Sequence, residues 1–214
     1  MTLATDTMAK RQSPQLPYAH LNLRRNPFGE FSEHERTTLA VVDIDEICRR
    51  LSSPTYAVQF VGDKGYGKTT HLLAIRARFS DAAYVHIPEG ERAEVPAGCP
   101  ILVDEAQRLT FWQRRSLFPD EVPLVLGTHR DFTRQLKAAG RHVETIHVAD
   151  GTCSERLHQV LNDRIAWVQR DKGAVPSVSQ NTADELLHEF GPNIRGILHE
   201  LYCRFQILDV IEEI

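Results

Sequence analysis

A three-layer α/β fold, with a five-stranded and mostly parallel sheet and a small all-helical domain after it, is what this 214-residue sequence predicts. Three observations carry that expectation. Five short apolar runs between residues 55 and 148 alternate with helical or irregular connections, as strands covered on both faces do. A glycine-rich stretch joins the first of these runs directly to a helix. After residue 150 the alternation stops and only helical periodicity is left.

The elements follow in order. Met1 to Gln15 is rich in Thr, Ser and Pro and has no apolar h-region, so a disordered leader over residues 1–17 is expected and a signal peptide is not. Asn26-Pro27-Phe28-Gly29 reads as a turn. Ser32-Glu33-His34-Glu35 fits a capping box, and the apolar positions from Leu39 to Leu51 have helical spacing. Residues 55–61 read as the first buried strand. Residues 71–79 then read as a helix, and 82–87 as a second strand. Residues 88–100 form a Gly/Pro/Glu-rich connection without helical periodicity. Residues 101–105 are an apolar strand ending in two acids, and 107–118 a helix with Leu109, Trp112 and Leu117 expected inside. A strand at 123–129, a helix at 130–139 stopped by Gly140, and a fifth strand at 143–148 complete the core, residues 18–150. In residues 151–214 two further capping boxes, at Thr152–Glu155 and Thr182–Glu185, open helices. A last helix after Gly191-Pro192 carries Ile194, Ile197, Leu198, Leu201, Phe205 and Leu208 as its stripe.

The chemistry concentrates in Gly62-Asp63-Lys64-Gly65-Tyr66-Gly67-Lys68-Thr69, which fits the phosphate-loop pattern G-x-x-x-x-G-K-[ST] without a mismatch. Its glycines let successive main-chain N–H groups point at phosphate oxygens with no Cβ in the way. Lys68 is placed to reach the β- and γ-phosphates. Thr69 offers a hydroxyl to Mg²⁺ and, followed by Thr70, opens a helix whose N-terminus favours an anion. The second motif is Asp104-Glu105 at a strand's carboxyl end. There Asp104 can hold Mg²⁺ and Glu105 can orient or deprotonate a water. The plainer reading of that pair is an acidic helix cap.

Composition bounds the rest. A hydrophobic share of 42% with 25% charged residues is ordinary for a globular protein. No apolar run approaches the roughly 18 residues of a membrane span, so no membrane partner is expected. Cys48, Cys99, Cys153 and Cys203 form no C-x-x-C pair and read as reduced core thiols of a cytoplasmic protein. The net charge of −4 argues against a broadly basic surface. Lys10, Arg11, Arg24 and Arg25 nevertheless make the leader region locally basic, which leaves nucleic-acid contact open there.

The order of these parts resembles an AAA+ ATPase. The phosphate loop and Asp104-Glu105 resemble Walker A and Walker B. Thr128, at the polar end of the 123–129 strand, stands where sensor 1 does, and Gly191-Pro192-Asn193-Ile194-Arg195 resembles sensor 2. Asn26-Pro27-Phe28 before the first strand is similar to the opening of general secretion pathway A-type ATPases, and transposition-regulating and origin-recognition ATPases share the layout. The resemblance implies ATP and Mg²⁺ as ligands and hydrolysis of the β–γ bond, in a switch that works as a homo-oligomer on a DNA or protein partner. It implies that Asn26, Pro27 and Phe28 flank the adenine, that Thr128 helps orient water and that Arg195 contacts the γ-phosphate. It also implies a trans-acting arginine, for which Arg130, Arg134 and Arg141 are candidates and Arg141 is preferred. In one respect the sequence departs from the family, whose second and third strands are normally joined through a helix. Three other readings stand beside this one: a nucleotide-gated scaffold with little turnover, a DNA-binding adaptor with a structural nucleotide site, and a small-molecule kinase.

Overall fold

The structure, a computed structural model, describes residues 16–214. Most of the expected leader, with Lys10 and Arg11, lies outside the described residues. The core contains five strands, β1 (Tyr56–Val61), β2 (Ala83–His86), β3 (Ile101–Asp104), β4 (Leu124–Thr128) and β5 (His142–His147), all parallel in the order β2-β3-β4-β1-β5. The expected α/β architecture is therefore present, and the sheet is wholly parallel.

The strand order determines where the helices go. From β1 the chain crosses β4 and β3 to reach the far edge, then returns one strand at a time and passes over β1 to β5. Because parallel crossovers are right-handed, reversing direction puts the connections on opposite faces. One face carries α1 (Glu33–Thr38), α2 (Asp45–Arg50) and α3 (Lys68–Arg76). There Ile47, Leu51, Leu72 and Ile75 pack on Val58, Phe60, Leu102 and Val125. The other face carries α4 (Phe111–Leu117) and α5 (Thr133–Ala138), whose Leu117 and Leu136 pack on Ala57, Val103, Leu124 and Leu126. Alternate residues of one strand thus serve two cores, as the period of two requires.

A third cluster belongs to α6 (Ser154–Trp167), α7 (Gln180–Phe190) and α8 (Ile194–Gln206). Leu157, Leu161, Ile165, Leu186, Ile197, Leu201 and Phe205 form its centre. Leu21, Leu23, Phe28 and Phe31, from the start of the described chain, complete it. The backbone of Arg24 bonds Val168, and Phe28 meets Phe205 edge-on at 4.9 Å. The helical cluster is thus closed by a segment well over a hundred residues upstream.

Several local expectations change. The region after Ser32 is two short helices with an irregular stretch at 39–44, since the β-branched pair Val41-Val42 is stiff in a helix. The expected 107–118 helix breaks at Leu109-Thr110, and a new capping box between Thr110 and Gln113 restarts it as α4. That restart turns the helix, and Trp112, expected inside, is 74% exposed. At α6 the N-cap is Cys153 and no side chain caps it. At α7 the cap is Ser179, bonded to the Thr182 amide, three residues before the expected start. The cysteines are free, but Cys99, Cys153 and Cys203 are exposed rather than in the core, and Cys48 is half-buried. Among the described residues no helix is long and apolar enough to cross a membrane.

Candidate functional site

The carboxyl ends of β3, β4 and β1 lie side by side, with Asp104 opposite Gly127 and Val61 opposite Thr128. A crevice at such ends, where connections diverge to the two faces, is where parallel α/β sheets bind ligands. Gly62–Thr69 leaves β1 there, tied down by the Gly62 amide donating to Thr128. Gly65 and Gly67 have φ of +95° and +94°, which side-chain-bearing residues rarely adopt, and Gly67 caps α3. Lys68 is buried. Its Nζ donates to the Gly62 and Asp63 carbonyls at 2.8 and 3.0 Å. Burial holds its ammonium below the ordinary lysine value, against the opposing pull of Glu105, Asp104 and Asp63.

Asp104 is fully buried at the end of β3. The Thr69 hydroxyl donates to its Oδ2 at 2.8 Å, the His86 ring nitrogen lies 3.1 Å from the same oxygen, and the Glu105 amide donates to Oδ1. Gly127 makes this approach possible: a Cβ there would lie 2.7 Å from Oδ1. Among the described residues no group of three or more His, Cys, Asp or Glu side chains could hold a metal by itself. One hydroxyl and one carboxylate oxygen in contact nonetheless suit a hard cation that keeps waters and phosphate oxygens as its other ligands, as Mg²⁺ does.

Glu105 has φ +60°, a left-handed conformation that costs a residue with a side chain and persists only where its surroundings enforce it. Gln107 is one enforcing partner. Its Nε2 donates to Glu105 Oε2 at 2.7 Å while its Oε1 accepts from the His129 amide, so one side chain bridges β3 to β4. Burial pushes the Glu105 carboxyl up. The Gln107 hydrogen bond and the charges of Arg108, His129 and Lys68 outweigh that and leave it below the ordinary value.

At the end of β4 the hydroxyl of Thr128 is spent locally. It donates to the Arg130 carbonyl and accepts from the Arg130 amide, closing a turn. The side chain that reaches the site is the next one. His129 Nε2 lies 3.5 Å from Lys68 Nζ and 3.6 Å from Glu105 Oε1. No signal in the sequence separated His129 from Thr128, because a strand end can direct either residue inward depending on the turn that follows.

No family model matches this chain, and no curated protein does.

The remaining residues divide by position. Arg195, exposed in the first turn of α8, lies against the loop: a Cβ on Gly65 would be 3.0 Å from Arg195 Cβ. Beside the loop, between the sheet and the helical cluster, is a cavity of about 310 Å³. Gly67 and Thr70 line it together with Val41, Val42, Ile194 and Leu198. A largely apolar hollow of this size next to a phosphate loop suits a flat aromatic base. In the sequence Val41 and Val42 fall in a run with helical spacing, and nothing in an apolar pair marks it as cavity lining rather than core.

Asn26, Pro27 and Phe28 do not line that cavity. Asn26 donates to the Tyr202 carbonyl and accepts from the Phe28 amide, and the Pro27 carbonyl accepts from Arg164. Arg141 is at the opposite end of the sheet, beside the first pair of the β1–β5 ladder. It is buried, and its guanidinium donates to the carbonyls of Pro54, Leu117, Phe118 and Val122. A group so placed cannot reach a neighbour's nucleotide, so the preference for Arg141 as the trans-acting arginine is corrected. Arg130 and Arg134 are both exposed on the β4 side of the crevice.

Proposed function

We propose that this chain is an ATP-binding and ATP-hydrolysing switch of the AAA+ type, activated by self-association and acting on a DNA or protein partner. The observation that supports it most is convergence. Lys68, the Thr69–Asp104 pair, Glu105 and Arg195 come from three separate stretches and meet around one glycine-rich loop, beside a cavity sized for a base.

In this reading the loop amides from Gly62 to Lys68 hold the phosphates, and Lys68 exchanges its two loop carbonyls for phosphate oxygens. Thr69 and Asp104 would hold Mg²⁺, which when bound neutralises charge on the phosphates. Glu105, kept ionised by Gln107, Arg108 and His129, orients and polarises the attacking water. His129, which directly follows β4 and lies between Lys68 and Glu105, would be the polar group on that side to contact the transferred phosphate. Arg195 joins the helical cluster to the γ-phosphate, so that the bound nucleotide biases the position of the tail. Phosphoryl transfer depends on positioning and charge, and an exposed arginine from a second copy, Arg130 or Arg134, would add roughly 10³–10⁵ in rate.

Phosphate release measured across a protein concentration series, with Glu105→Gln alongside, tests this. Turnover per subunit should rise with concentration and vanish in the variant while ATP binding is retained. Absence of ATP binding would sink the proposal. The tethering of Glu105 by Gln107 and Arg108 supports a second reading, a nucleotide-gated scaffold, which tight binding without turnover at any concentration would establish.

A further inference from the structure

Helix α4 begins six residues after Glu105 and presents an unusual face. Phe111 is 61% exposed and Trp112 74% exposed, with their rings edge-to-face at 5.4 Å, and neither belongs to any of the three hydrophobic clusters. Contiguous exposed aromatics on a globular protein mark contact surfaces more often than accidents. Arg115 follows Phe111 by four residues and Trp112 by three, which places all three on one side of the helix. Arg115 is exposed and has no hydrogen bond or ion pair among the described residues. The other two arginines of the stretch are occupied. Arg114 donates to the Leu109 carbonyl, and Arg108 to the Ile87 carbonyl.

Charge makes the face more specific. In a chain of net charge −4, residues 106–119 contain three arginines and no acid, the next acids being Asp120 and Glu121 beyond the end of α4. Two flat apolar surfaces beside one unpaired guanidinium match a ligand with exposed aromatic rings on a polyanionic backbone. Duplexes bury their base faces, and an acidic peptide segment would leave the rings without partners.

We propose that the Phe111–Trp112–Arg115 face binds single-stranded nucleic acid, the rings stacking on bases and Arg115 meeting a phosphate. Aromatic stacking of this kind tolerates any sequence, because every base has a π-face. The same face is connected to the reaction centre, since the segment between Glu105 and Phe111 contains Gln107 and Arg108, both bonded to Glu105. Identifying the strand as the partner of an ATP switch rests on the function proposed above, whereas the binding does not.

A fluorescence titration with oligothymidine, without nucleotide, tests it. The chain has two tryptophans, and Trp167 is half-buried with its Nε1 donating to Glu35, so an exposed Trp112 should carry the quenching. Read by the anisotropy of a fluorescein-labelled oligothymidine, a signal that does not depend on Trp112, binding should weaken at least fivefold in Trp112→Ala and in Phe111→Ala. Arg115→Gln should flatten the salt dependence by about 0.7 in log–log slope. All three positions are on the surface, so folding is not at stake. Unchanged affinity in both aromatic variants, or no binding at low salt, would overturn the proposal. Equal affinity for duplex of the same length would do so too, by reducing the contact to phosphates. A drop in oligomer mass in Trp112→Ala without any oligonucleotide binding would make the face a contact between copies instead. Failure here leaves ATP turnover intact, and failure of turnover leaves this titration readable.

Discussion

The side-chain oxygen of Asn193 lies 2.6 Å from where a Cβ on Gly65 would stand. Asn193 cannot easily withdraw, because that oxygen also accepts from the Gly196 amide and caps α8. The middle of the phosphate loop and the first turn of the last helix are therefore fitted to each other through a missing side chain. Gly65→Ala should cost at least about 1 kcal/mol from the left-handed backbone alone. Displacement of the α8 cap adds to that. The expected outcome is a lower melting temperature together with weakened ATP binding. A variant with full affinity would show that the loop and the tail are not coupled.

Thr128 and His129 should separate cleanly. Thr128→Val removes two hydrogen bonds to the Arg130 backbone and should cost about 1–3 kcal/mol of stability in urea titrations. Turnover of the folded protein should change little. His129→Ala touches no such bond and should leave stability nearly unchanged while lowering turnover tenfold or more. Equal activity in the two variants would remove His129 from the site.

Arg141→Leu should be among the most damaging changes that leave the proposed nucleotide site alone. It removes the Arg141 donor from four carbonyls, two of them at the carboxyl end of α4 and two at strand entrances, and only that of Leu117 keeps a further donor, the Asp120 amide. Unsatisfied buried groups of this type cost about 1–3 kcal/mol each, reduced where water can enter. The midpoint of chemical denaturation should fall markedly, with ATP affinity of the remaining folded fraction unaltered. An Arg141 variant of normal stability that lost concentration-dependent turnover would restore the trans role set aside above.

Glu35 links the first helix to the tail, and acid should release it. Its carboxyl is lowered to about 2, first by the Ser32 amide, then by Trp167 Nε1, with the Ser32 hydroxyl and the Arg25 charge contributing further. A carboxylate depressed in the folded state stabilises fully above its unfolded value near 4.5. That stabilisation disappears as pH falls toward 2. The indole N–H resonance of Trp167 should shift through this window, and Glu35→Gln should abolish the shift. A resonance insensitive to pH between 5 and 2 would contradict the contact.

Much of this protein was written along the chain. The strands fell within a residue or two of their expected places, because apolar runs bounded by turn residues have few alternatives. The phosphate loop was complete in eight consecutive residues, and the acidic pair Asp104-Glu105 stood where β3 ends. Helix beginnings were less legible at α4 and α7, where two capping signals stood close together and packing chose between them.

By itself the sequence determined the fold class, the loop that can cradle phosphates and the acids near it, since each depends on local periodicity or fixed spacing. The tertiary structure alone decided which polar residue of β4 turns toward Lys68, and that Arg141 is locked at the far end of the sheet. It also decided that Asn26–Phe28 closes the helical cluster while Val41 and Val42 line the cavity, and that Trp112 faces water. Those outcomes depend on which distant segments share a core, and hydrophobicity marks a residue for burial without naming its partner.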